Sequence, residues 1–350
     1  MARQRLEIVA GLSLRNLKPR VWDGTSPFHL PALKEVMVSW ADLNRMPSIR
    51  RKAMREGLHK ALDIPPSVSI YLDNGAFNFA MSGGEVSRKD YEEFVLRAKP
   101  DWYVIPQDYI PAPRMTDKEQ LDCLERTMEV NLAYSHDGYV PIIHISRRLD
   151  SYIERLKASE ILNRKSVVAL GGIVPNLLRM PKAMAYDEVL DMIRRTRAEF
   201  SDKRIHVFGI GGTATLHIAA LMGIDSVDSS GWRNRAARGI VQLQGCGDRL
   251  VAQLGKWRGR KPSDEEHKQL SECQCPSCLE FGIEGLAESG IEGFSKRASH
   301  NLWTLLEESR LIDSHISNGT YACWYRDHLN NSIYRPLVDS VVKFDDALLS

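Results

Sequence analysis

Three cysteines within six positions, Cys273-Gln-Cys275-Pro-Ser-Cys278, are the residues of this 350-residue chain whose types and spacing most directly specify a chemistry. Thiolates so close in sequence can face one centre, and Zn²⁺ takes four soft or borderline ligands in a tetrahedron. His300 opens an expected helix over 299–311 and is the natural fourth ligand; His267 and His328 are the competing imidazoles. A closed Cys₃His set leaves no open coordination position, so zinc there would be structural, holding the C-terminal segment in place. Asp73, Asp108 and Asp228 form a second group, each following a short apolar run. Carboxylates gathered in one place can act as nucleophile and as general acid or base.

The elements that must gather them are short and repetitive. Apolar runs, most of them rich in β-branched residues, recur at Glu7–Ala10, Val36–Trp40, Val68–Leu72, Trp102–Ile105, Val140–His144, Val167–Leu170, His206–Gly209 and Ser226–Asp228. Several are separated by amphipathic stretches of helical length, such as Lys89–Ala98, Thr116–Ser135, Ser151–Ser159, Tyr186–Phe200 and Thr215–Met222. Strand–helix alternation implies parallel strands with right-handed crossovers. Eight strands in the first 240 residues predict a (β/α)8 TIM barrel, with a doubly wound open sheet as the alternative. In a barrel, the residues that end the strands gather at the C-terminal mouth, where chemistry is done. Those residues include Asp73, Gln107-Asp108, His144, Gly171-Gly172, Gly209-Ile210-Gly211-Gly212 and Asp228. After residue 240 the pattern changes to a polar stretch and the cysteine segment. The expected division is therefore a barrel core over 1–240 and a zinc-binding segment with C-terminal helices packed on it over 241–350.

With 43% hydrophobic and 26% charged residues the chain can bury a sizeable core. No apolar run approaches the roughly 18–20 residues of a membrane span. The opening Met-Ala-Arg-Gln-Arg-Leu-Glu lacks a signal-peptide core, and six cysteines do not make a disulfide scaffold, so the cytoplasm is expected. The net charge is only +2, yet basic residues are clumped: Arg50 to Arg55, Arg194 to Arg197, Arg233 to Arg238, and Lys256 to Lys261. Such clusters either neutralise phosphates or are solvated helix faces.

Five segments in order resemble one family. They are Asp73-Asn-Gly-Ala-Phe77, Ala169-Leu-Gly-Gly-Ile-Val-Pro175, His206-Val-Phe-Gly-Ile-Gly211, Gly223-Ile-Asp-Ser-Val-Asp-Ser-Ser230, and the cysteine set with His300. Together they resemble the tRNA-guanine transglycosylase superfamily over roughly residues 68–310. The Gly-Ile-Val-Pro and Asp-Ser-Ser pieces are similar to the archaeosine-type branch. The N-terminal segment 10–20 carries little of the tRNA-enzyme pattern, and the chain has no room for the C-terminal RNA-binding domains of archaeal tRNA enzymes. Both departures favour the compact DNA-modifying relatives of phages and bacteria, which insert 7-cyano-7-deazaguanine into DNA. A phage-encoded chain would act in its host's cytoplasm.

The resemblance implies a base exchange and assigns roles. Asp228 matches the nucleophile that forms a covalent aspartyl–sugar intermediate at C1′, as in retaining glycosidases. Asp225, three residues earlier, competes for this position. Asp73 matches the general acid/base that protonates departing guanine and deprotonates the incoming base. Asp108 matches the carboxylate that accepts from the purine N1–H and 2-amino group, two donors that adenine does not offer together. Phe77 would stack on the purine, and Gly171 and Gly172 would present backbone groups to it. Gln107 and His144 complete the expected base site, His144 standing near where many relatives carry Gln. Arg233, Arg235 and Arg238 would grip flanking phosphates. The partners implied are DNA, or tRNA in the alternative, with a free 7-deazaguanine base and a flipped target nucleotide. A homodimer or helper proteins are the protein partners considered. A non-catalytic nucleic-acid-binding subunit and a plain glycoside hydrolase are the remaining alternatives, the latter giving no reason to expect metal.

Overall fold

The β-branched runs do become strands. The computed structural model describes residues 5–82, 84–177 and 181–349. One sheet contains β1 (Glu7–Gly11), β2 (Glu35–Ser39), β3 (Ser69–Asp73), β4 (Trp102–Val104), β5 (Tyr139–Val140), β6 (Ile142–His144), β7 (Val167–Gly171), β8 (Arg204–Val207) and β9 (Ser226–Ser229). Every pairing in it is parallel, in the spatial order β5-β4-β3-β2-β1-β9-β8-β7-β6. β5 and β6 are pieces of one run separated by Pro141, so the two ends of the row belong to the same wall. The sheet thus curls into the expected (β/α)8 barrel rather than an open doubly wound sheet.

Two of the eight runs depart in detail. The fifth is broken because Pro141 has no N–H to give to a ladder. Asn131, buried on the preceding helix, repairs the break: its Nδ2 donates to the Ile142 carbonyl at 2.8 Å and its Oδ1 accepts the Ile142 N–H at 3.0 Å. The seventh run was expected over His206–Gly209 but pairs over Arg204–Val207. Gly209, at φ +80°, turns the chain out of the ladder.

Period-2 alternation decides what faces the interior. In β3, Ile70 and Leu72 point outward under the helices, whereas Tyr71 points inward with Val9 and Met37. Asp73, two residues beyond Tyr71, therefore faces inward at the mouth. In β9 the same rule puts Ser226 and Asp228 on one face. The interior is lined with rings: Tyr71 stacks on Trp102 at 4.6 Å, and His206 lies 5.2 Å from Trp102 and 4.7 Å from Phe208. At the opposite end of the barrel Tyr71 donates to Glu35 at 2.9 Å, and Arg204 pairs with Glu7.

The crossover helices start near their expected positions. Asp117–Ala133, for example, is opened by a capping box in which Thr116 Oγ1 accepts the Glu119 N–H and Glu119 accepts the Thr116 N–H. Beyond the barrel strands lie an antiparallel hairpin, β10 (Ile240–Leu243) with β11 (Gly247–Leu250), and helices Asp264–Ser271 and Pro276–Ala287. The helix expected over 299–311 is much longer, Gly290–Ser317. It returns the chain to the barrel: Ser309 donates to the Leu6 carbonyl at 2.7 Å and Asp313 accepts the Leu6 N–H at 3.1 Å. Its Asn301 also accepts the Gln242 N–H at 2.7 Å and donates to the Trp232 carbonyl at 3.1 Å. Among the described residues no helix is long and apolar enough to cross a membrane.

Candidate active site and metal centre

The barrel mouth brings Asp73, Asp108 and Asp228 together. Asp73 ends β3, and both of its hydrogen bonds fall on Oδ2: Ser39 donates at 3.0 Å from β2 and the Gly75 N–H donates at 3.0 Å. Burial pushes its carboxyl up to about 7, with the Ser39 bond opposing and the charges of Asp108 and Asp228 adding to the rise. Asp228 accepts the Gly209 N–H at 2.6 Å. Burial raises it to about 6, and the Gly209 bond holds it back. Burial thus raises both carboxyls, and at Asp73 the two neighbouring acids add to the rise. Asp225 stands at the other end of β9, bound to Arg197 at 3.0 Å and to the Ile205 N–H at 2.7 Å. It cannot reach the mouth.

A stability prediction follows from Asp73. Its pKa in the folded chain lies above the unfolded value of 3.8, so the folded state holds the proton more tightly. That contribution is complete below about pH 3.8 and is lost as pH rises through about 7. Asp73→Asn is therefore expected to stabilise the fold at pH 8 by on the order of 2–4 kcal/mol and to change little at pH 4. Thermal melts at the two pH values check this; a lower melting temperature for the variant at pH 8 defeats the desolvation account.

Asp108 is 5% exposed and accepts from Asn74 Nδ2 at 2.8 Å. Asn74 also donates to the Ile105 carbonyl at 2.9 Å and accepts the Ala76 N–H at 2.9 Å. Asn74 thus shapes the turn after β3 and also orients the third acid. His144 ends β6 with its Nε2 3.0 Å from Asp108 Oδ2, yet neither ring nitrogen makes a well-formed hydrogen bond. Its ring fills the space over Gly171, where an added Cβ would lie 2.8 Å from Nδ1. Gly172 takes φ +75°, and a Cβ there would meet the Ile145 carbonyl at 2.8 Å. Phe77 is 50% exposed at the start of helix Ala76–Ser82, beside the mouth and outside the core. Gln107 is committed elsewhere: it accepts the Val86 N–H at 2.9 Å and donates to the Asp108 carbonyl at 2.8 Å.

A cavity of about 540 Å³ opens beside Asp228. Its walls include the Gly209–Gly212 turn, Arg235, Asp248, Arg260 and the segment Asn331–Tyr334. Arg235 grips Asp248 through Nε at 2.7 and 2.8 Å. Arg238 covers the exposed Trp257 ring at 4.2 Å. Arg233 turns inward and donates to the carbonyls of Asn16 at 2.5 Å and Lys18 at 2.7 Å. Of the three arginines expected to meet phosphates, Arg233 thus holds the N-terminal segment instead.

The cysteine cluster assembles as its spacing implied. His300 Nδ1 lies 3.5 Å from the sulfurs of Cys273 and Cys275 and 3.4 Å from that of Cys278. A tetrahedral ion with Zn–S of about 2.3 Å and Zn–N of about 2.05 Å sets such N···S edges near ~3.6 Å. His300 Nε2 is 2.9 Å from the Gln242 carbonyl, so its proton is placed there and Nδ1 is left bare towards the sulfurs. Four converging donors of this kind could hold a metal ion. His267 is exposed and His328 lies in another cluster.

Comparison with known proteins adds to this geometry. Residues 39–333 match the family described as queuine tRNA-ribosyltransferase. The tRNA-guanine(15) transglycosylase of Thermococcus kodakarensis is 26% identical over 291 residues, covering 79% of this chain and 44% of the relative. That of Haloferax volcanii is 26% identical over 284 residues, covering 77% and 50%. That of Methanosarcina barkeri is 25% identical over 285 residues, covering 79% and 53%. The chain spans about half the length of the curated relatives it matches.

Proposed function

Since the chain belongs to the queuine tRNA-ribosyltransferase family, we propose that it is a pentosyltransferase that exchanges guanine in a nucleic acid for a 7-deazaguanine. The observation that carries this reading is one mouth holding three inward acids, two of them raised to about 7 and about 6. Asp228 would attack C1′; its Oδ–C1′ bond forms as the C1′–N9 bond to guanine breaks. Asp73, protonated near neutrality, would hand its proton to the departing base and then take one from the incoming base. The new base then attacks C1′ and releases Asp228. Asp108 would read the N1–H and 2-amino edge, with His144 beside it, Gly171 and Gly172 behind, and Phe77 stacked on the ring. Arg235 and Arg238 would meet the flanking phosphates. Zinc at the thiolate–imidazole cluster would supply cohesion alone, since all four of its positions are filled by the chain.

For the polymer we propose DNA, with 7-cyano-7-deazaguanine as the incoming base. The support is the divergent N-terminus: β1 and the segment up to Val38 lie before the family match. The names of the relatives favour tRNA as a second reading. We place the protein in the cytoplasm, where clustered thiols stay reduced and free to bind metal. Incorporation of radiolabelled guanine into duplex DNA, single-stranded DNA and tRNA, assayed side by side, decides. Label in DNA alone supports the proposal, label in tRNA alone moves the protein to the second reading, and label in none of them overturns the activity.

Asp108→Ala is expected to weaken guanine binding by about 1–3 kcal/mol, because two purine donors lose their acceptor. Nucleic-acid binding should stay nearly unchanged. Competition binding with free guanine measures the effect, and unaltered guanine affinity removes Asp108 from base recognition.

A further inference from the structure

A second cluster of ligand-bearing side chains lies where three helices meet, apart from both the mouth and the cysteines. His217 comes from helix Thr213–Leu221, Glu308 from Gly290–Ser317 and His328 from Tyr321–His328. The Nε2 atoms of both histidines are 2.8 Å from the same oxygen, Glu308 Oε1. His217 and Glu308 are fully buried, and the His328 side chain is 14% exposed. Among the described residues no arginine or lysine pairs with Glu308, so this buried carboxylate draws its counter-charge from within the cluster.

The surroundings are those of a ligand set. Tyr321 OH stands 2.7 Å from His217 Nδ1, on the far side of the ring from Glu308. The Gly245 N–H donates to the other carboxylate oxygen at 3.3 Å. The Trp324 ring stacks on His328 at 4.3 Å and lies nearly parallel to His217. Outer partners that fix ring orientation, with an apolar cover, are what tune a metal centre.

We infer that His217, Glu308 and His328 bind a divalent first-row transition cation through the two Nε2 atoms and Oε1. An ion about 2.1 Å from each atom would see the two 2.8 Å edges at about 85°. Those two angles are near the right angle of a five- or six-coordinate site and far from a tetrahedral angle. Two imidazoles and a carboxylate suit Zn²⁺, Fe²⁺ or Mn²⁺, unlike the thiolate-rich centre. With the ion bound, His217 Nδ1–H donates to the Tyr321 oxygen and both Nε2 lone pairs face the metal. Thr213–Leu221 begins at the cavity beside Asp228, and the chain beyond His328 lines the same cavity. The ion therefore clamps the C-terminal wall of that cavity to the barrel. This inference does not depend on the proposed reaction.

The test is metal content of the full-length protein equilibrated with excess Zn²⁺ and then desalted. Two ions per chain are expected, and His328→Asn should keep one. In a Co²⁺ titration, the second equivalent should add weak visible bands without further thiolate-to-cobalt absorption. Tyr321→Phe retains all three donors and should weaken the second ion by roughly 10- to 100-fold. One ion in the wild type at saturating zinc overturns the inference and leaves the cluster as a buried hydrogen-bonded histidine–carboxylate network. So does a second ion retained in both His217→Asn and His328→Asn, or an unchanged second affinity in Tyr321→Phe.

Discussion

Asp228→Asn is expected to lower base exchange by on the order of 10⁴-fold or more while leaving nucleic-acid binding intact. The substitution is isosteric, so the amide oxygen can keep the Gly209 N–H that holds the carboxylate at 2.6 Å. What it loses is the charge that attacks C1′ and the ability to form and release an ester. The wild type should also leave a protein–nucleic acid adduct that survives denaturation, and the variant should leave none. Denaturing gels and a binding assay on the same preparations measure both effects. Near-normal turnover in the variant removes Asp228 from the mechanism and with it the covalent route.

Cys275→Ser should have the largest effect on the fold. Cys275 is completely buried, and its sulfur also accepts the Cys278 N–H at 3.2 Å as the cap of helix Pro276–Ala287. Removing the thiolate takes away one of the four candidate metal donors, while the serine hydroxyl can still accept the Cys278 N–H as the helix cap. Structural zinc contributes roughly 10–16 kcal/mol in small zinc modules, so even partial loss exceeds the usual reserve of a domain, about 5–15 kcal/mol. The damage would not stay local, because His300 sits on the helix whose Ser309 and Asp313 hold Leu6 at the edge of β1. Loss of thiolate-bound metal and a much lower melting temperature are the expected readouts. A variant that keeps its thiolate-centre ion would show the ligand set to be wrong.

Much of this architecture is legible in the sequence for identifiable reasons. Strand runs such as Val68–Leu72 are short, β-branched and followed by polar turn residues, so their number and their functional ends can be read directly. The cysteine set is legible because its ligands are local and its chemistry is narrow. What escapes is whatever depends on a neighbour far along the chain. The basic character of Arg233 suggested phosphate, but its partners are carbonyls more than 200 residues away. Gln107 looked available for a base until its amide met Val86 and its own backbone neighbour. Ser39 gave no sign of holding Asp73, since only the β2–β3 register places the two side by side. The hairpin β10–β11 is not legible because Gly247–Leu250 carries Asp and Arg where a strand signal expects apolar alternation. Arg249 finds its partner in Glu266, beyond the reach of any local pattern.

The break at Pro141 has an evolutionary consequence. Past Val140 the fourth and fifth walls share no ladder among the described residues: β4 meets the fifth wall through β5 alone, and β6 pairs with β7 on its other side. The Asp108–His144 contact spans that seam with side chains, whereas Asp228 sits in a strand zipped on both flanks, to β1 and to β8. The part of the rim without a ladder is thus the part that would read the purine, and the laddered part is the one that would carry the sugar. On the proposed assignment, mutations drifting through residues 105–108 and 142–144 would reshape which bases are admitted without unzipping the strand that holds Asp228. Substrate range and transfer competence would then be separately heritable, an arrangement from which a lineage could adopt a new modified base without first losing the old reaction.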